Sequence, residues 1–78
     1  MVMNRELELE HLFSSEARIA GAKRMISEQQ ARIAKLRGDG YDTKLAEDTL
    51  RAFEASLAII REHRETIIKA IENIDHDL

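Results

Sequence analysis

Three histidines, one arginine set among apolar residues and a short glycine-aspartate segment are where this chain could do chemistry. His11, His63 and His76 each offer a metal ligand, and Glu72 stands four residues before His76, a spacing that puts both on one helical face. A di-metal helical bundle needs more, namely a Glu-x-x-His motif on each of two facing helices with further glutamates opposite. That signature is missing, so the histidines read as isolated surface residues and no metal ligand is assigned. Asp39-Gly40-Tyr41-Asp42 has fragments of a calcium loop but lacks the alternating acidic ligands and the terminal glutamate, and reads as a turn.

Covalent catalysis finds little to work with. Cysteine is absent, no glycine-rich phosphate loop occurs, and Ser14, Ser15, Ser27 and Ser56 stand in no nucleophile-elbow motif. The expectation is a non-enzyme with no catalytic residue and no cofactor.

Arg64 is the most informative of the polar residues. It interrupts an apolar row, and if the chain folds back near residue 40 or 41, paired numbers add to about 81 and it comes level with Glu16 or Ala17. A guanidinium held by a half-buried carboxylate would fix register and antiparallel orientation while adding little net stability. The alternative role for Arg64 and His63 is a polar site for a small ligand inside a bundle. Gln29 and Gln30, opposite the region of Arg51, form a second polar break of the same kind.

These residues must be positioned by helices. The chain has 78 residues, no proline, three glycines and three aromatics, with 35% charged and 44% apolar residues, a profile of helical bundles rather than sheets. Gly38-Asp39-Gly40-Tyr41-Asp42-Thr43 holds two of the glycines. Lys35 and Arg37 before it suit the negative end of a helix, Gly38 can take the left-handed closing conformation, and Asp42 or Thr43 can cap a new helix. The reading is a single domain over residues 1–78: a first helix over about 4–37 starting at the cap residue Asn4, a turn over 38–42, and a second helix over about 43–75. Asp75 and Asp77 sit against the dipole of the second helix, so its last turn is expected to fray.

Leu12, Ile19, Ile26 and Ile33 recur every seven residues in the first helix, flanked by rows of mostly small residues. The second helix alternates steps of four and three through Leu50, Phe53, Leu57, Ile60, Arg64, Ile67, Ile71, Ile74 and Leu78, the period of a left-handed coiled-coil seam. Leu45, Ile59 and Ile68 lie off that seam and widen the apolar stripe beyond what one neighbouring helix covers. The expected fold is therefore all-α, an antiparallel two-helix hairpin that self-associates into a four-helix bundle dimer. The interface and core are assigned to the eleven residues Leu12, Ile19, Ile26, Ile33, Leu50, Phe53, Leu57, Ile60, Ile67, Ile71 and Ile74.

Charge is uneven. Residues 1–37 carry seven Lys or Arg against five Glu, residues 38–78 five against ten acids. Six of the cations fall within residues 17–37, where Glu28 is the lone acid. A basic face for nucleic acid is one reading, but no aromatics interleave the cations. Neutralisation by an acidic second helix is the preferred one, so nucleic acid is not the expected partner. No apolar run approaches the ~20 residues of a membrane span, and the N-terminal stretch has no signal-peptide pattern, so a bacterial-type cytoplasmic protein is expected.

The pattern His11-Leu12, Glu16, Ile19-Ala20-Gly21, Gln29, Asp39-Gly40, Asp42-Thr43, Phe53-Glu54 and His63-Arg64 resembles a group of small uncharacterised helical-hairpin proteins of rhizobia-like alphaproteobacteria. The likeness spans roughly residues 11 to 68, and the D-G-x-D-T turn carries most of it. It implies a helical hairpin in a bacterial cytoplasm and supplies no mechanism. The functional expectation is a homo-oligomeric protein–protein interaction module, with itself as first partner and another helical protein as the alternative.

Overall fold

The computed structural model describes residues 4–76, which form two antiparallel helices, α1 (Arg5–Gly38) and α2 (Lys44–His76), packed side by side in a rod 60 × 17 × 15 Å. Asp77 and Leu78 lie outside the described residues.

Local chemistry fixes both ends of α1. Asn4 Oδ1 accepts hydrogen bonds from the amides of Glu6 (2.9 Å) and Leu7 (3.3 Å), and Glu6 and Glu8 stand near the positive end of the dipole. At the other end, Lys35 and Arg37 face the free carbonyls. The chain leaves the helix through a Schellman motif: the Tyr41 amide donates to the Leu36 carbonyl (2.9 Å) and the Gly40 amide to that of Arg37 (3.1 Å). The residue that must turn left-handed is Gly40, at φ 82°, while Gly38 is the last helical residue. This corrects the sequence expectation, which gave that role to Gly38: the helix runs one residue further and Asp39 occupies the cap. Asp42 Oδ1 then takes the amide of Lys44 at 3.0 Å and opens α2.

Packing between the helices is a single line of contact. Ile33, Leu57, Ile67 and Ile71 are buried; Leu12, Ile19, Ile26, Leu50, Phe53, Ile60 and Ile74 are partly covered. Two polar residues sit in the same line. Gln29, 6% exposed, donates from Nε2 to the carbonyl of Ala46 at 2.9 Å, using a lone pair that the α2 helix leaves open. Gln30 is exposed, and Arg51 bonds to Asp48 of its own helix, so the anticipated meeting of the two glutamines with Arg51 is replaced by this one tether. Ser15 is 3% exposed and its hydroxyl has no hydrogen-bond partner among the described residues.

Ion pairs mark the register. Arg64 Nη2 lies 3.0 Å and Nε 3.3 Å from Glu16 Oε1, and Arg5 Nε lies 2.7 Å from Asp75 Oδ1. The numbers in both pairs add to 80, so residue i of α1 is level with residue 80 − i of α2 from one pair to the other. The Asp75 hydrogen bond raises the Arg5 pKa above its ordinary value, its nearby charge acting in the same direction. The last turn of α2, expected to fray, is helical to His76 and tied to α1 through this bond.

Candidate interaction surface

Two grooves flank the line of contact, and they differ in kind. On one side Glu16, Ile19, Lys23, Arg61, Arg64 and Glu65 line an open groove of about 430 Å³. Charges meet one another there, Arg64 lying between Glu16 and Glu65. On the other side Arg18, Gly21, Ala22, Met25, Phe53, Ser56 and Ile60 line a groove of the same volume whose surface is almost wholly apolar despite Arg18. Equal volumes make the lining, not the size, the distinguishing feature.

The apolar side extends along the rod. Towards the open end it passes Arg18 to a smaller recess between His11 and His63; towards the turn it continues between Arg32 and Leu45. On α1 the flanking row is His11, Arg18, Met25 and Arg32, each seven residues after the last. On α2 it is Thr49, Ser56, His63 and Ala70, and the next row outward is Leu45, Ala52, Ile59 and Thr66. Taken together, these α2 residues step by four and three from 45 to 70, forming a second seam beside the one that contacts α1. It contains no Asp, Glu, Lys or Arg, whereas the rows on the opposite flank include Glu47, Glu54, Arg61 and Glu65. Leu45 is 80% and Ile59 66% exposed, so within one hairpin the outer row of this seam is largely uncovered. On α1, Met25 is 48% exposed. Gly21 opens onto free space, since a Cβ there would meet only the end of the Arg24 side chain at 4.0 Å.

Sequence reasoning grouped Leu45, Ile59 and Ile68 as residues that widen the stripe and missed the seam that joins the first two. Its signal was the 4-3 spacing of small residues, which hydropathy hides because Thr, Ser and His count as polar.

The structure separates the two residues assigned to a possible ligand site. His63 faces the apolar side with His11, and Arg64 faces the charged side with Glu16. Successive residues on a helix are about 100° apart, and here that step falls across the line of contact, putting His63 and Arg64 on opposite sides of it. Among the described residues no three of His, Cys, Asp or Glu come together as a metal site would require. His11 Nδ1 lies 3.8 Å from Glu8, and His76 and Glu72 are exposed.

The cations of residues 17–37 are all exposed and do not share one face: Arg18 and Arg32 flank the apolar side, Lys23 lines the charged groove, and Arg37 pairs with Glu47. Among the described residues only Arg37 of the six has a carboxylate within 4 Å, Glu47 at 2.9 Å. Close neutralisation by α2, the preferred expectation, is thus limited to one pair. Lys23 shares the charged groove with Glu16 and Glu65, and Arg32 shares a recess with Asp42, but neither cation closes an ion pair within 4 Å among the described residues.

Comparison with known protein families, with curated proteins and with solved structures found no match in any of the three. Among the described residues no helix is long and apolar enough to cross a membrane.

Proposed function

We propose that this chain is a non-enzymatic interaction module of the bacterial cytoplasm that works as a homo-oligomer, two hairpins closing a four-helix bundle. The observation that supports this most is exposed area. A compact monomer of 9.0 kDa presents about 4,900 Å² to solvent by the usual size scaling. This chain presents 6114 Å², an excess of roughly 1,200 Å², more than the ~800 Å² each partner covers in a standard-size interface. The uncharged α2 seam, with Leu45 80% and Ile59 66% exposed, offers apolar surface for such an interface. Sedimentation equilibrium at micromolar concentration tests the reading, with an expected mass of at least twice 9.0 kDa. A cooperatively folded monomer would refute it, and a monomer that becomes a complex only with another helical protein would move the module to hetero-association.

A second reading has its own support in the five exposed cations without a near carboxylate. They would let the module touch nucleic-acid phosphates from more than one side. Titration with duplex DNA across salt decides it. The first reading expects no binding at physiological salt, and an affinity tighter than about 10⁻⁶ M that falls steeply with added salt would favour the second.

A further inference from the structure

We infer that the occupant of the apolar side is a second copy of this chain turned end for end, with α2 on the partner's α2, α1 on the partner's α1, and the turns at opposite ends. This rests on the homo-oligomer reading and specifies its geometry.

Two hairpins can stack through this side in two ways related by a twofold axis. If the turns lie at the same end, α1 covers the partner's α2. The register of the hairpin then sets Arg18 beside Ile59 and His63, Glu28 beside Ala52, and Arg32 beside Leu45 and Thr49. Each of these charges would be withdrawn from water against a seam that holds no counter-charge, which is unfavourable. If the turns lie at opposite ends, the uncharged seam of α2 meets its own copy, small residues allowing close approach.

The same choice pairs two of the three charges on this flank of α1, Arg18 and Glu28, leaving Arg32 beside Ser14. An axis passing level with Lys23 and Leu57, which are themselves level in the hairpin, brings residue i of α1 beside residue 46 − i of the copy. Arg18 then meets Glu28, the one carboxylate among Ser14, Arg18, Gly21, Met25, Glu28 and Arg32 on this flank of α1. Met25 comes over Gly21, whose missing side chain leaves room for it. On α2 the axis sets Ile59 beside Ser56, and Leu45 beside Ala70. By symmetry each contact occurs twice.

Charge reversal tests the arrangement in the full chain. Arg18→Glu and Glu28→Arg, each at an exposed position, should leave helicity unchanged and each weaken dimerisation at least about tenfold, because like charges are juxtaposed twice. The double variant should return to within about threefold of the parent. A second measurement uses the absence of native cysteine: Ser56→Cys with Ile59→Cys should oxidise to a covalent dimer. A dimer that shows neither rescue nor this cross-link overturns the end-for-end geometry while leaving homo-oligomerisation standing. A parent chain that sediments as a monomer overturns both.

Discussion

Arg64 of α2 holds Glu16 of α1 through two nitrogens on one carboxylate oxygen, Nη2 at 3.0 Å and Nε at 3.3 Å. The guanidinium also lies 3.7 Å from Glu65, so it is shared between an interhelical and an intrahelical acid. The Arg64 side chain is 33% and that of Glu16 52% exposed, which makes this a surface pair rather than the half-buried one anticipated from sequence. Its use is positional. Solvent screens the attraction, and Glu65 stands ready to take the cation if Glu16 is lost.

A double-mutant cycle on Glu16 and Arg64 should therefore give a coupling energy of about 0.2–1 kcal/mol, diminishing with added salt. Arg64→Leu combined with Glu16→Leu should be neutral or mildly stabilising in urea denaturation. A coupling indistinguishable from zero at low salt would remove the pair as a contributor to register, leaving the apolar seam to set it.

Ser15→Ala should stabilise the protein by about 1 kcal/mol. The hydroxyl is enclosed between the helices without a partner, so its removal recovers a desolvation penalty and leaves only a small void. Chemical denaturation of the two chains side by side measures this; a loss of stability would show that the hydroxyl is satisfied in solution.

The two turn glycines should respond in opposite directions. Gly40 is at φ 82°, where any Cβ is strained, and Gly40→Ala should cost about 1–2 kcal/mol. Gly38 is helical with nothing within 4 Å of an added Cβ, and Gly38→Ala should gain up to about 1 kcal/mol. Thermal melts of both variants make the comparison, and a reversed order would place the left-handed residue elsewhere.

Ile67 and Ile59 separate folding from association. Ile67 is 4% exposed inside the hairpin, so Ile67→Asp buries an unpaired charge and should unfold it. Ile59 is 66% exposed, so Ile59→Asp should leave the helices formed and lower the sedimenting mass. Circular dichroism with sedimentation reads both, and an Ile59→Asp chain with unchanged mass would remove α2 from the interface.

Much of the hairpin was legible because its determinants are local or strictly periodic. Asn4 announces a cap, the glycine pair announces a turn, and the 4-3 spacing from Leu50 onward announces the seam facing α1. The level of Arg64 with Glu16 followed from counting outward from the turn. Other features depended on distances no pattern encodes. Which glycine turns left-handed depends on the residue at which α1 ends, and the Gln29 bond to a main-chain carbonyl leaves no trace in the identity of Ala46. The second seam went unread because Thr49, Ser56 and His63 pass for solvent-facing residues until their row is seen beside Leu45, Ala52 and Ile59.

The turn closed by Tyr41 and Leu36 also bears on kinetics. Measured from it, interhelical contacts span steadily more chain: 10 residues for Arg37–Glu47, 17 for Gln29–Ala46, 48 for Glu16–Arg64 and 70 for Arg5–Asp75. Loop-closure entropy rises with that separation, so contacts near the turn form first and each shortens the loop left to close for the next. The hairpin should zip from one end, with a transition state structured around residues 29–47 and loose near the termini. In a chevron plot Gly40→Ala would then slow refolding, while Arg5→Ala would chiefly quicken unfolding.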